Sequence, residues 1–142
     1  MKETGTQPPA PVESNWYVEG THVVWLAAFV GAVLMVIGLR FLITPDGAAA
    51  TFGLGRAGEG PYLHYVIGLR DLWLGALGIV FALLRDWRAL FLWLAMGGLV
   101  CFSDAAVVSA FGGPDAAVGF HVSAGVLCLG LAFGAWRRWP KS

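Results

Sequence analysis

Four long runs of apolar, nearly uncharged residues dominate this sequence. They cover residues 22–43, 62–84, 89–111 and 116–136. A helix rises about 1.5 Å per residue, so each run is long enough to cross the hydrocarbon core of a bilayer, which is about 30 Å thick. The runs therefore predict four transmembrane helices and an all-α membrane fold.

The composition agrees with a membrane environment. Hydrophobic residues make up 58% of the 142 residues and charged residues 13%, whereas a soluble domain has roughly 45–50% and about 25%. Disordered chains are poor in apolar residues and rich in charge, so disorder is excluded. The formal net charge of zero gives no field that would attract nucleic acid. The predicted partner is the lipid bilayer, and no nucleic-acid partner is expected.

The chain divides into a polar N-terminal tail over residues 1–20, one four-helix membrane domain over 21–137 and a basic tail over 138–142. The start of the chain lacks the basic segment and short apolar core of a cleavable signal peptide, which favours an uncleaved first span. The tail is expected to be flexible. The links 85–88 and 112–115 are short, and short links predict an up-down four-helix bundle.

Charged and aromatic residues at the ends of the runs predict the orientation. Both termini lie on one side of an up-down bundle, and basic loops stay in the cytoplasm. The basic residues on that side are Lys2, Arg85, Arg88, Arg137, Arg138 and Lys141, against Arg56 on the other side and Arg40 at its boundary. Tryptophans favour the same interface: Trp16, Trp25, Trp87, Trp93, Trp136 and Trp139. We expect a bacterial inner-membrane protein with both termini in the cytoplasm.

The long outer loop, residues 44–60, contains the signals of a short helix. Thr44 is a good N-cap, Pro45 suits the first helical position and Asp46 complements the positive end of the helix dipole. Gly53 would end it. These residues predict a helix over Pro45–Phe52, followed by a mobile glycine-rich segment over 53–60.

Neither a cofactor nor a metal site is predicted. The loop contains a Gly-x-Gly-x-x-Gly pattern starting at Gly53, but the dinucleotide fingerprint needs a strand before it and a helix opening within it. Cys101 and Cys128 lie in apolar runs without Cys-x-x-Cys spacing, so they are read as small buried hydrophobic residues.

Ionisable residues within the spans gather in the outer half of the membrane. One such residue near the centre costs roughly 2.5–3.5 kcal/mol on insertion scales, so its presence needs a reason. The set comprises Arg40, His64, Arg70, Asp71, Asp104 and His121. Arg40 lies close enough to the outer end to snorkel to the headgroups.

Helical spacing predicts which of these side chains face the bundle interior. Small residues allow close helix approach, and they share a face with ionisable residues in three spans. The three stripes are His64, Gly68, Asp71, Gly75 and Gly78; Gly97, Cys101, Asp104 and Val108; and His121, Gly125, Cys128 and Ala132. Asp71, Asp104 and His121 are therefore expected to meet. Arg70 lies about 100° around the helix from Asp71, so contact with Asp104 or stacking on Trp73 both stay open. Gly130 and Gly134 are expected to serve internal packing.

Two functions follow for this polar group. It could line a cavity, open to the outside, that binds a small amphipathic ligand or performs acid/base chemistry. Asp71, Asp104 and His121 are then the catalytic candidates, and Arg70 and His64 join them in binding. Alternatively, the charges only fix helix packing in an accessory or scaffold protein. A proton-coupled transporter is disfavoured because the inner half lacks polar residues. Whether the protein is an enzyme, a homo-oligomer or part of a membrane complex stays open.

The sequence also resembles a known family. The similarity lies in Gly38-Leu-Arg-Phe-Leu-Ile-Thr-Pro45, in Gly68-Leu-Arg-Asp-Leu-Trp-Leu-Gly75, and in Asp104 and His121. The chain resembles, over residues 38–136, small bacterial and fungal integral membrane proteins classified as a domain of unknown function. The resemblance implies four transmembrane helices and groups Arg70 and Asp71 with Asp104 and His121. A looser likeness to DoxX-like four-helix membrane proteins implies a redox or accessory role.

Overall fold

The computed structural model describes residues 20–53 and 62–139. Within them the chain is entirely helical: α1 spans Thr21–Ile43, α2 Pro45–Phe52, α3 Tyr62–Leu83, α4 Trp87–Ala110 and α5 Asp115–Trp136. All but α2 are long and apolar enough to cross a membrane. The protein is thus a multi-pass membrane protein, and the four predicted spans are confirmed to within two residues.

The outer surface of the bundle is apolar. Large side chains such as Trp25, Phe29, Trp73 and Leu99 are more than half exposed. Glycine and alanine occupy many of the buried positions. Large side chains therefore face the lipid, while small residues let the helices approach one another.

Helices α1 and α3 form one close antiparallel pair, which depends on two glycine contacts. A Cβ at Gly38 would lie 2.6 Å from the carbonyl oxygen of Gly68, and one at Gly31 would lie 2.7 Å from that of Gly75. The backbones touch at these two levels because neither helix has a side chain there. On α3, the predicted stripe from His64 to Gly78 is buried at every position.

Helices α4 and α5 form the second pair. The side chain of Leu129 packs over Gly98, and the ring of Phe102 packs over Gly125. The two pairs are joined where the Trp93 ring covers Gly78 and its Nε1 donates to the Leu74 carbonyl at 3.1 Å. Trp93 therefore packs between α3 and α4.

Two predicted faces need correction. In α4 the buried face includes Gly98, Ala105 and Val108, whereas Gly97, Cys101 and Asp104 are only half-buried, so of the predicted stripe only Val108 is fully buried. In α5, Gly130 is exposed and nothing would contact a Cβ there. Internal packing is therefore wrong for Gly130, although Gly134 does face Val23.

The two ends of the bundle differ. The terminal end, which carries Gly20, the α3–α4 turn and Trp139, contains an apolar core. Its buried residues are Val24, Ala27, Ala82, Leu90, Leu94, Leu131, Ala132 and Ala135. Two arginine–tryptophan contacts stabilise this end: Arg138 lies over Trp87 at 5.8 Å, and Arg88 over Trp139 at 4.8 Å.

At the opposite end, the α2 end, the short helix packs against the bundle. Its predicted bounds are confirmed, with Pro45 in the first turn and Gly53 at φ 95° as its C-cap. Thr44 is the N-cap residue of α2 as predicted, but its side chain makes no capping hydrogen bond, because its hydroxyl donates to the Arg40 carbonyl at 3.2 Å. The tail before residue 20, the glycine-rich pattern beyond Gly53 and residues 140–142 lie outside the described residues.

Candidate functional site

Helix α2 packs against the bundle at the α2 end, where it contacts His121. Its buried residues, Ala48 and Ala49, pack with Phe41 of α1. At its C-terminus the Phe52 ring packs edge-on against Phe41 and His121, with centroids 5.9 and 4.4 Å apart. The small alanine faces let α2 sit close, and Phe52 anchors it to both helix pairs.

His121 connects α5 to α2. The residue is 3% exposed, and its Nε2 lies 3.1 Å from the Phe52 carbonyl oxygen. A carbonyl can only accept, so Nε2 carries the hydrogen and donates it. The last carbonyls of a helix have no partner within the helix, and His121 satisfies one of them.

His64 of α3 lies on the other side of Phe41. Its ring stacks on the Phe41 ring with centroids 6.0 Å apart, and the residue is 4% exposed. Its Nδ1 is buried and has no hydrogen-bond partner within the described part of the chain. A buried ring nitrogen without a partner is unusual, because buried polar atoms are nearly always hydrogen-bonded.

Arg70 and Asp71 form an ion pair between neighbouring positions of α3. The Nε of Arg70 donates to Asp71 Oδ1 at 2.9 Å. The Asp71 side chain is 5% exposed and that of Arg70 50%, so the guanidinium reaches from the helix surface back to a buried carboxylate. The sequence left contact with Asp104 or Trp73 open for Arg70; its direct partner is Asp71.

Asp104 of α4 completes a group of ionisable side chains at one level. Its carboxylate is half-buried and interacts electrostatically with His121, Arg70 and Asp71. It makes no hydrogen bond or ion pair with any residue that the structure describes. We define the polar cluster as Arg70, Asp71, Asp104 and His121. His64 lies about two turns before Asp71 on the same buried face of α3.

A groove between α1, α2 and α5 lies next to this cluster. Its volume is about 720 Å³, within the range of about 300–1,000 Å³ typical of ligand sites. Its walls include Phe29, Val36, Phe41, Phe52 and Phe120. Exposed residues of α1 and α5 form its rim, so it opens sideways where lipid surrounds the bundle.

None of the five residues predicted to bind a ligand lines this groove. Phe41 and Phe52 separate it from the histidines, since each ring faces the groove and also contacts one imidazole. The groove and the histidine contact of the Phe52 carbonyl both depend on how α2 docks. No spacing in the sequence predicts how α2 docks. The one feature of the sequence that could have indicated it is the presence of the aromatic residues Phe41 and Phe52.

The described residues offer no metal centre, because no three His, Cys, Asp or Glu side chains among them lie close enough to hold an ion. The Cys101 and Cys128 side chains of α4 and α5 interact with each other and are not joined by a disulfide.

Comparison with known proteins identifies a family. The family model described as "Domain of unknown function (DUF4267)" matches residues 31–137. Because the match covers most of the chain, the chain belongs to this family, and the resemblance to a family of unknown function is confirmed. No curated protein and no solved structure matches the chain. The likeness to DoxX-like proteins stays a prediction.

Proposed function

We propose that this member of the DUF4267 family binds a small amphipathic molecule at the polar cluster. The observation that carries the proposal is hydrogen-bonding capacity that the described residues leave unused. The His64 Nδ1 is buried without a hydrogen-bond partner among them, and the half-buried Asp104 carboxylate interacts with its neighbours only through its charge. Polar groups at this depth are expensive, and a bound molecule with donors and acceptors would satisfy them.

The remaining members of the cluster suit the same role. Arg70 neutralises Asp71, so this pair can stay in place without a ligand. His121 donates to Phe52 and fixes α2 above the cluster. A ligand with a polar group would then meet Asp104, whose charge interacts with His121 and Asp71. Acid/base chemistry on the bound molecule is compatible with this set.

A non-catalytic scaffold is the alternative function. It is favoured by the Arg70–Asp71 pair and by the His121–Phe52 hydrogen bond, both of which join parts of the protein and need no ligand. The two functions differ at Asp104, which a ligand site needs and which makes no hydrogen bond or ion pair with the residues that the structure describes.

Replacement of Asp104 by Asn separates these functions, and Ser103→Ala is the matched control. Ser103 is the exposed neighbour whose hydroxyl donates only to the Leu99 carbonyl of its own helix. Each purified variant is extracted with organic solvent, and the extract is analysed by mass spectrometry for a molecule present in stoichiometric amount. Thermal unfolding of the same samples reports stability.

We expect wild type and Ser103→Ala to carry the same molecule. Asp104→Asn should retain about a tenth of it or less, because a hydrogen bond to a charged group contributes about 1.5–3 kcal/mol. Its melting temperature should fall by no more than the stabilisation that the lost molecule supplied. A wild type without a bound molecule, combined with a lower melting temperature for Asp104→Asn, would instead establish the scaffold.

A further inference from the structure

The groove between α1, α2 and α5 has one charged group at its rim. Along α1 its wall runs from Phe29 to Arg40. At about 1.5 Å per residue this is about 16 Å, close to half of the roughly 30 Å hydrocarbon core. The groove therefore has the length of a single leaflet, with the arginine at the end of the span.

The Arg40 side chain is held at the mouth of the groove. Its Nη2 donates to the Thr51 hydroxyl at 3.2 Å, and that hydroxyl donates to the Gly47 carbonyl at 2.8 Å. The guanidinium is thereby fixed between α1 and α2. An arginine has five N–H donors, so most of them remain for another acceptor.

No carboxylate in the described ranges lies within ion-pair distance of Arg40. The acidic residues at this end, Asp46 and Asp115, are exposed and make no ion pair with it. An exposed cation above an apolar groove complements a molecule with a negative head and an apolar chain. A guanidinium binds a phosphate with two parallel hydrogen bonds.

From the length, lining and charge of this groove, we propose that it binds one anionic phospholipid. One acyl chain lies along Phe29, Val33 and Val36, and the phosphate is held by Arg40. This site is distinct from the polar cluster and rests only on the membrane location of the protein. Phe41 and Phe52 form the wall between the groove and the two histidines. An occupied groove would therefore support the side of α2 that faces lipid.

The test is a lipid titration of delipidated protein in mild detergent, followed by native mass spectrometry. The probes are phosphatidylglycerol and phosphatidylcholine with identical acyl chains. Arg40→Gln removes the charge, and its control is Arg137→Gln, an exposed arginine at the terminal end. Ala32→Phe fills the groove from its exposed wall, and its control is Ala106→Phe, an exposed alanine that does not line the groove.

We expect wild type to bind one phosphatidylglycerol about tenfold more tightly than phosphatidylcholine, which corresponds to about 1.4 kcal/mol. Arg40→Gln should remove this preference, and Arg137→Gln should keep it. Ala32→Phe should weaken binding of both lipids, whereas Ala106→Phe should not. The small molecule carried by the polar cluster should persist in all four variants.

Three results would overturn the proposal. Equal affinity for the two lipids in wild type would exclude a charge-selective site. Displacement of the lipid by millimolar inorganic phosphate would show a free-anion site. A dimer that Ala32→Phe dissociates would show that a second copy of the chain fills the groove. If Arg40→Gln does not fold, the two alanine variants still decide whether the groove holds lipid.

Discussion

The two buried histidines of the α2 end differ in what their ring nitrogens contact. His121 donates to the Phe52 carbonyl, whereas the Nδ1 of His64 has no partner among the described residues. Both rings also stack or pack against phenylalanine. The same substitution at each position therefore separates the contribution of the ring from that of the polar nitrogen.

We predict opposite effects for His64→Phe and His121→Phe on thermal unfolding in detergent. Phenylalanine at position 121 leaves the Phe52 carbonyl buried without a donor, which should lower the free energy of unfolding by about 1–3 kcal/mol. In delipidated protein, phenylalanine at position 64 removes an unsatisfied nitrogen and keeps the ring, so the stability without a bound molecule should be equal or higher. A clear loss of stability in His64→Phe would show that Nδ1 has a partner in the folded protein.

Local sequence rules predict part of the candidate site and miss the rest. Helical spacing correctly brings Asp71 and His121 to the interior, since both lie on stripes of small residues that must face another helix. The partner of Arg70 is not predicted, because a flexible side chain can turn back to its own neighbour. The sequence does not predict the groove or the contact of Arg40 with Thr51, because both form only when α2 docks against α1.

At the scale of the elements, glycine determines how closely the helices pack. The α1–α3 contact has no side chain at Gly38 or Gly68, while Gly130 on α5 faces open space. Sequence alone does not distinguish these glycines, because both kinds lie in apolar helices at small-residue spacing. For the same reason the sequence does not show that Gly98 is buried in α4 and Gly97 only half-buried, because the two glycines are adjacent and equally small.

We predict that Gly38→Ala destabilises the protein and that Gly130→Ala does not. A Cβ at Gly38 would lie 2.6 Å from the Gly68 carbonyl oxygen and 2.7 Å from the Leu72 nitrogen, so α1 and α3 must separate. Overpacking of this kind typically costs about 1–3 kcal/mol. At Gly130 the alanine gains helix propensity without a clash. The melting temperatures of the two variants provide the measurement, and equal values would contradict the close α1–α3 contact.

At the scale of the whole molecule, the two ends have different compositions. The terminal end combines an apolar core with four described arginines, Arg85, Arg88, Arg137 and Arg138, at or beyond the helix ends. The α2 end contains the polar cluster, the groove and, among the described residues, one boundary arginine, Arg40. Positive loops are retained in the cytoplasm, so this asymmetry favours a cluster and a groove in the outer half of the membrane.

Cysteine labelling of intact cells tests this orientation. Gly47 is exposed on α2, and an added side chain there would meet only Thr44 at 4.0 Å, so Gly47→Cys should be tolerated. Arg137→Cys places a thiol at the exposed terminal end. Both are made in a Cys101→Ala, Cys128→Ala background, whose melting temperature is compared with that of wild type. A membrane-impermeant maleimide should label position 47 in intact cells and position 137 only after permeabilisation. The reverse pattern would place the polar cluster and the Arg40 groove in the cytoplasmic half, where the phospholipid of the inner leaflet would fill the groove.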